Sequence, residues 1–387
     1  MEILASFRSG LSRALNPRPD SPLQANKMKT INQSSTIPHR IDVHHHIVPA
    51  KYVAALKGIG IEAAHGAGFP KWSPAMALDV MDRNGIAAAI TSISSPGVYF
   101  GDANFARDLA RRCNEFSAQL VSNHPDRFGF FAVLPLPDPE AALKEAEYAL
   151  DTLNADGVVL LASTGGKFLG DSDFEELMFE LNRRQAIIFV HPNIHPSSEK
   201  LKLEMPGFLI EFLFDTTRAV VNLIYSGTLE RYPALRWILS HAGGTVPYIA
   251  WRLSLANFEP EFLARAPRGM VAYLKSFYYD TALSSSPYAM KALLELVGPS
   301  QILFGSDFPF APEPIVAKEV EDLQKLDLFK DQTLKAIERD NALTLFPKFK
   351  WQRENISDAQ YVGIQAQKKI SIRTRIALSL ARKVMNV

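Results

Sequence analysis

Residues 40–49 read RIDVHHHIVP, an apolar strand pattern that runs directly into three histidines and a proline. Seven further short runs rich in β-branched or aromatic residues follow it. They are AAAITSI (87–93), FGFFAVL (128–134), DGVVLL (156–161), IIFV (187–190), RWILS (236–240), FYYDTA (277–282) and ILFGS (302–306). Nearly continuous apolar strands that alternate with helical patterns predict a parallel sheet covered on both faces, and eight of them favour a closed (β/α)8 TIM barrel.

Between the strands, apolar residues return every three or four positions over 140–153 and 174–184, which predicts helices there. Two connections, 47–78 and 192–213, are too long for simple turns. Both follow strands that end in histidine, so they belong over the C-terminal mouth of the barrel. Their aromatic and proline content, with Phe69, Trp72 and Phe208, favours substrate lids, and packed surface loops are the alternative.

We expect the barrel to occupy residues 39–347. Residues 1–38 contain three arginines among serines and are expected to form a disordered extension, with an organellar transit peptide as the alternative. Residues 348–387 form a basic tail in which Ile372, Ile376 and Leu380 have the spacing of an amphipathic helix. Such a helix could dock on the protein or on an anionic membrane surface, and docking or partial disorder is favoured.

The composition excludes several classes of protein. With 47% hydrophobic and 21% charged residues and a net charge of +1, the chain is typical of a globular protein and has no electrostatic footprint for nucleic acid. No apolar run reaches the roughly 18 to 20 residues of a transmembrane segment, and no signal-peptide core is present. The single cysteine, Cys113, excludes an internal disulfide framework and suits a reducing compartment, so a cytoplasmic location is expected.

Polar groups that can bind a metal occur at the predicted strand ends. His44 and His46 project to the same side of the first strand because side chains alternate along a strand, while His45 points away. His191 ends the fifth strand, His241 the sixth and Asp307 the eighth. A structural histidine is the simpler explanation for any one of them. Because all of them converge at the mouth of one barrel, together they predict a metal site.

These motifs, in this order, resemble the amidohydrolase superfamily. The segments WSPAMALDVMDRNGI, FVHP, FDTTRAV, SGTLERYPALRWILSHAGGTVPY, FYYDTA and FGSDFPF are similar to its aminocarboxymuconate-semialdehyde decarboxylase branch, and within it to 6-methylsalicylate decarboxylases. The resemblance covers residues 40–346. It implies that His44, His46, His191 and Asp307 bind the metal and that His241 is catalytic.

The resemblance also identifies two candidate substrate-binding residues. Arg252 is similar to an arginine that reaches the site of a neighbouring subunit, which implies a homodimer, and a guanidinium can grip a carboxylate through two hydrogen bonds. An ordinary surface or core-bridging arginine is the alternative. Phe310 matches an aromatic residue beside the substrate ring, or it simply packs. An arginine of the first insertion that some relatives use has no counterpart here, where Ala63, Ala64 and His65 occupy that context.

Three imidazoles and a carboxylate suit Zn²⁺ and leave a position for water or substrate, with Mn²⁺ as the alternative. Binuclear members of the superfamily carry a carbamylated lysine at the end of strand four. Here that strand ends in LLAS (160–163) without a lysine, so a single divalent metal is expected.

The predicted function is nonoxidative decarboxylation of a small aromatic carboxylic acid, favouring 6-methylsalicylate or a related 2-hydroxybenzoate, to give a phenol and CO2. The proton could come from Asp307, from His241 or from water held by His241. The alternative is metal-dependent hydrolysis of a lactone, ester or amide on the same barrel. A degenerate barrel that serves only as a binding module is disfavoured because every expected ligand is present.

Overall fold

The computed structural model describes residues 39–64, 67–201, 204–329 and 332–353. Eight parallel strands form one nearly closed barrel in sequential order. They are β1 (Arg40–His46), β2 (Ile86–Ser92), β3 (Phe128–Val133), β4 (Gly157–Leu161), β5 (Ile187–His191), β6 (Arg236–Leu239), β7 (Tyr278–Asp280) and β8 (Ile302–Leu303). Each coincides with one of the eight runs predicted from the sequence, and the predicted TIM barrel is confirmed.

Backbone hydrogen bonds join the first strand to the chain around and after the eighth. The amide of Val43 donates to the Phe304 carbonyl at 2.9 Å, and the Asp307 amide donates to the His44 carbonyl at 2.8 Å. Asp42, which is completely buried, also accepts from the Ser306 hydroxyl at 2.5 Å. These contacts join β1 to the segment after β8 and close the barrel beside His44 and Asp307, two of the predicted metal ligands.

Nine helices of eight or more residues are present in the described part of the chain. They are α1 (Ala50–Gly58), α2 (Pro74–Arg83), α3 (Ala103–Asn123), α4 (Pro139–Glu147), α5 (Glu175–Arg183), α6 (Glu211–Tyr225), α7 (Val246–Leu253), α8 (Pro287–Leu296) and α9 (Glu313–Lys325). Shorter helices span Pro196–Glu199, Thr228–Arg231, Pro260–Arg265, Met270–Leu274, Gln332–Lys335 and Asn341–Leu345. No described helix is both long enough and apolar enough to cross a membrane.

Local sequence explains where the helices begin. At the start of α4, Asp138 accepts a hydrogen bond from the Ala141 amide and Pro139 occupies the first turn. Helix α4 continues as a π-helical turn over Tyr148–Thr152, so the helix predicted over 140–153 is confirmed, as is the one over 174–184, which corresponds to α5.

The two long connections contain structure of their own. The first holds α1 and a short hairpin that pairs Ala63–Ala64 with Ala67–Gly68, and it ends where Ser73 caps α2. The second holds Pro196–Glu199 and a 3-10 turn, Gly207–Leu209, before α6. Their role as lids stays a prediction. The predicted extension (1–38) and residues 354–387 of the predicted tail lie outside the described residues.

The core lies inside the barrel and between the strands and helices. Phe131 of β3 and Phe189 of β5 stack inside it with ring centroids 5.4 Å apart. Phe189 also lies edge-on to His44 at 4.9 Å. The apolar interior therefore forms a floor directly beneath the histidines at the barrel mouth.

Candidate metal centre

The structure brings His44, His46, His191 and Asp307 together at the C-terminal mouth of the barrel. One possible ligand atom from each lies within 4.8 Å of the others, and all four residues are buried. The Nε2 atoms of His44 and His46 are 3.0 Å apart, and both face Oδ1 of Asp307, at 3.3 and 3.1 Å. His45 points away, with its Nδ1 bonded to Asp42 at 3.0 Å. The alternation of β1 thus separates the three consecutive histidines as predicted.

Hydrogen bonds orient each of the three rings. Nδ1 of His44 donates to Oδ2 of Asp280 at 2.7 Å, and Nδ1 of His191 donates to the Pro192 carbonyl at 2.8 Å. Nδ1 of His46 lies 3.0 Å from the Ser92 hydroxyl. With every Nδ1 engaged by a neighbour, the Nε2 atoms are directed toward the cluster. Such partners of the second nitrogen fix the tautomer of a metal-binding imidazole.

The donor set fits a divalent cation. Lone pairs of nitrogen and carboxylate oxygen converge on one buried point, where without a positive charge they would repel one another. The rings lie nearly perpendicular to each other, with interplanar angles of 81° to 83°, so their nitrogens approach that point from different directions. His44, His46, His191 and Asp307 are therefore suited to hold one metal ion.

The pKa shifts within the cluster also favour a positive charge at this point. Burial disfavours the charged imidazolium of His44, but the carboxylates of Asp280 and Asp307 outweigh it and raise the pKa of His44 to about 10. Burial and the neighbouring imidazoles hold the pKa of His191 well below its usual range. Burial also opposes ionisation of Asp307, yet its contacts with His241, His44 and His46 keep the pKa of its carboxyl well below 3.8. The raised pKa of His44 and the lowered pKa of Asp307 both show that this buried site favours a positive charge beside its carboxylates.

His241 lies beside this cluster. Its Nε2 is 3.8 Å from Oδ2 of Asp307, whereas its Nδ1 is buried and has no hydrogen-bond partner among the described residues. No hydrogen bond to Nδ1 therefore holds the ring in one tautomer. His241 and Ala242 both have positive φ, 52° and 54°, in a tight turn at the end of β6. This turn aims the imidazole into the barrel mouth.

Helix α6 supports two of the loops that carry site residues. A Cβ on Gly244, where φ is +66°, would lie 2.2 Å from the Leu213 carbonyl, so only glycine lets the turn after His241 pack this closely. The Thr217 hydroxyl accepts from the Thr245 amide at 3.0 Å. Asp215 accepts from the Asn193 amide at 2.8 Å, two residues after His191. The segment FDTTRAV thus braces the His191 and His241 loops.

The two candidate substrate-binding residues have different positions. The Phe310 ring stands edge-on to His46 with centroids 5.6 Å apart, so it borders the cluster. Arg252 lies on the exposed surface of α7 and forms no ion pair with a described carboxylate. Within one chain, the structure does not bring Arg252 into contact with the metal ligands.

Several residues of the site were not predicted from the sequence. Asp280 and Ser92 orient ligand rings, and Ser94 has its hydroxyl 3.4 Å from Nε2 of His191. Phe212, at the start of α6, stacks edge-on against His191 at 5.9 Å. Asp280 and Ser92 end β7 and β2, so the strand-end rule that identified the histidines applies to them as well.

A small cavity of about 50 Å³ lies between the ends of β2, β3 and β4. Its walls include Ile93, Val98, Leu134, Leu136, Leu161 and Asn193. Asn193, which lines this cavity, follows His191 by two residues, so the cavity lies to one side of the proposed metal ligands.

Comparison with known proteins identifies the family. The sequence profile of the amidohydrolase family matches residues 41–348. A 6-methylsalicylic acid decarboxylase of Penicillium expansum is 36% identical over 316 residues, which cover 80% of this chain and 97% of that protein. The chain is thus homologous to a protein that is named as a decarboxylase.

Solved structures share the architecture. A crystal structure described as an amidohydrolase is 31% identical, with a TM-score of 0.75, and the match covers 80% of this chain and 99% of that one. The 5-carboxyvanillate decarboxylase of Novosphingobium aromaticivorans, solved with manganese and a nitrobenzoic acid, has a TM-score of 0.71 at 24% identity, covering 84% of this chain and 100% of that one.

Proposed function

Since the chain belongs to the amidohydrolase family, we propose that it is a metal-dependent nonoxidative decarboxylase of a small aromatic carboxylic acid. The observation that carries the proposal is the convergence of His44, His46, His191 and Asp307 within 4.8 Å, with His241 3.8 Å from Asp307. This arrangement supports a cation site with a proton-transfer group beside it. Resemblance to a named decarboxylase over four-fifths of the chain selects the reaction.

The favoured substrate is 6-methylsalicylate or a related 2-hydroxybenzoate, which would yield a phenol and CO2. The relative from Penicillium expansum supports this choice. So does the setting of the site, because the Phe310 ring borders the proposed ligands. An aromatic side chain next to a charged centre suits an aromatic ring that bears a carboxylate.

A divalent cation held by the four ligands would act as a Lewis acid, holding the carboxylate and adjacent hydroxyl oxygens of the substrate and stabilising developing negative charge. The chain itself must deliver a proton to the ring carbon that loses CO2. Nε2 of His241 and Oδ2 of Asp307 lie 3.8 Å apart, a separation that one bridging water could span, and we propose that His241, Asp307 or water held by His241 supplies the proton. Burial of both groups keeps bulk water from competing for it.

For the metal, three imidazoles and one carboxylate favour Zn²⁺, and Mn²⁺ is the alternative. Elemental analysis of the purified protein, followed by removal and restoration of each ion, decides between them. Activity restored by Mn²⁺ alone would replace the zinc assignment and leave the site unchanged.

A homodimer with a shared site is also part of the proposal. Helix α7 and the turn after it expose Tyr248, Trp251 and Phe258 by 85%, 78% and 82%. Aromatic side chains in such numbers on one surface are typical of a protein interface. Arg252 lies within this surface, and in the proposed dimer it would act at the partner's site. A cytoplasmic location is proposed because the only cysteine, Cys113, is buried and unpaired.

The deciding experiment incubates the enzyme in deuterated water with a panel of hydroxybenzoates and follows CO2 and the ring-deuterated phenol by mass spectrometry. One deuterium on the vacated carbon for each CO2 released is the expected result. Hydrolysis of lactones or esters, without CO2 from any acid in the panel, would replace the decarboxylase with the hydrolase and leave the metal site standing.

A further inference from the structure

Asp280 is a fully buried carboxylate at the end of β7 that touches both halves of the proposed site. Its Oδ2 accepts the hydrogen bond from Nδ1 of His44 at 2.7 Å. Its Oδ1 accepts from the backbone amide of His241 at 2.8 Å and from that of Ala282 at 3.1 Å. One side chain therefore contacts a metal ligand and the turn that holds the proposed proton-transfer residue.

We propose that Asp280 is a positioning residue that directs His44 toward the metal and fixes His241 relative to it. The inference rests on the proposed metal site and adds to it the element that aligns its two parts. Asp280 contacts the reacting groups only through His44 and His241, so it acts through them.

The chemistry of the first contact is directional. A carboxylate accepts hydrogen bonds, so Nδ1 of His44 carries a proton, and Nε2 is left as the nitrogen that can offer a lone pair to a cation. Nε2 is the atom that faces His46 at 3.0 Å and Asp307 at 3.3 Å. Asp280 thus selects the tautomer in which His44 can bind a cation.

The second contact sets the distance between His44 and the backbone of His241. The His241 amide belongs to the turn with positive φ at the end of β6, and Oδ1 of Asp280 anchors that turn to β7. Because Oδ1 and Oδ2 are rigidly joined, His44 and the His241 backbone are held at a fixed separation across the barrel mouth. A displacement of Asp280 would therefore shift the proton-transfer group relative to the cation.

Gly305 makes the approach of β1 and β7 possible. A Cβ at this position would lie 2.8 Å from Cβ of His44 and 3.2 Å from Cβ of Asp280. Any side chain there would push the two partners apart. Gly305→Ala therefore disturbs the pair by steric contact while leaving the carboxylate in place.

The test replaces Asp280 with asparagine. If the amide oxygen still accepts from the two backbone amides, its NH2 group faces Nδ1 of His44. His44 must then carry its proton on Nε2, where it blocks the cation. We expect the affinity for Zn²⁺, measured by competition with a chromophoric chelator, to fall roughly 10- to 100-fold. The visible spectrum of the Co²⁺-substituted protein should also change, because it reports ligand geometry.

Glu145→Gln serves as the matched control. Glu145 is a buried carboxylate of α4 that is hydrogen-bonded to Arg111 and Asn114 and touches no metal ligand. Its replacement makes the same chemical change away from the site. It should leave the Zn²⁺ affinity and the Co²⁺ spectrum as in the wild type.

The outcomes are separable. Wild-type protein that binds no metal overturns the proposed function itself. Wild-type protein that binds metal, with a folded Asp280→Asn variant of equal affinity and unchanged Co²⁺ spectrum, overturns only the positioning role. If Asp280→Asn fails to fold, Asp280→Glu decides, because it keeps the carboxylate and displaces it by one methylene. Reduced affinity and an altered spectrum support the inference, and wild-type values for both refute it.

Discussion

Asp215 provides a prediction whose size follows directly from the structure. This carboxylate on α6 is 1% exposed and accepts from the Ser163 hydroxyl at 2.9 Å and the Asn193 amide at 2.8 Å. Burial raises its pKa from 3.8 to about 6, although the two donors and the nearby His195 and Arg218 favour the ionised form. The perturbation is Asp215→Asn, which has the shape of the protonated acid and does not titrate.

The direction follows from proton binding. Between about pH 4 and pH 6, folded protein holds a proton on Asp215 that unfolded protein has released, so the free energy of unfolding falls as the pH rises through this window. A pKa displaced from 3.8 to about 6 corresponds to roughly 3 kcal/mol. Above about pH 7 the loss is complete and constant. Asp215→Asn does not titrate and therefore lacks this loss. The free energy of unfolding of the wild type, relative to that of the variant, should fall by roughly 3 kcal/mol between pH 4 and pH 7.

Thermal unfolding of both proteins, followed by circular dichroism across this range, measures the difference. For a barrel of this size, about 3 kcal/mol corresponds to roughly 5 °C in Tm. Ser163→Ala should enlarge the pH dependence, because the hydroxyl stabilises the ionised carboxylate. Parallel Tm profiles for wild type and Asp215→Asn would refute the argument, since they would show that burial leaves this carboxyl unaffected.

Three further predictions concern the site. Substituting both His44 and His191 with alanine removes two of four ligands, so elemental analysis should find the metal lost; full metal content would place the site elsewhere. His241→Asn should lower kcat by roughly 10² or more while the metal stays bound, because we propose that His241 moves a proton and does not bind the metal. Retained turnover would assign proton transfer to Asp307 alone. Arg252→Ala should raise KM for the acid in a protein that sediments as a dimer, and a fully active monomer would contradict the shared site.

Most of the fold and the core of the site could be predicted because both depend on local rules. Alternation along β1 places His44 and His46 on one face, and the strand-end rule brings His191 and Asp307 to the same mouth. The role of Asp280 could not be predicted from the sequence, because it depends on His44, which is 236 residues away. The motif FYYDTA does not show which strand the Asp280 side chain faces. Arg252 cannot be assigned from one chain, since its proposed contact belongs to a second copy.

The closure of the barrel between β1 and β8 has a consequence for biosynthesis. Asp42 and Ser306, 264 residues apart in sequence, meet beside the ligands. During translation, His44, His46 and His191 therefore leave the ribosome long before Asp307 is synthesised. Until then the site lacks its only proposed anionic ligand, so we expect tight metal binding only when the chain is nearly complete. The ion would then link β1, which is synthesised first, to the segment after β8, which is synthesised last. Metal depletion should therefore increase local unfolding at this junction before it does so elsewhere.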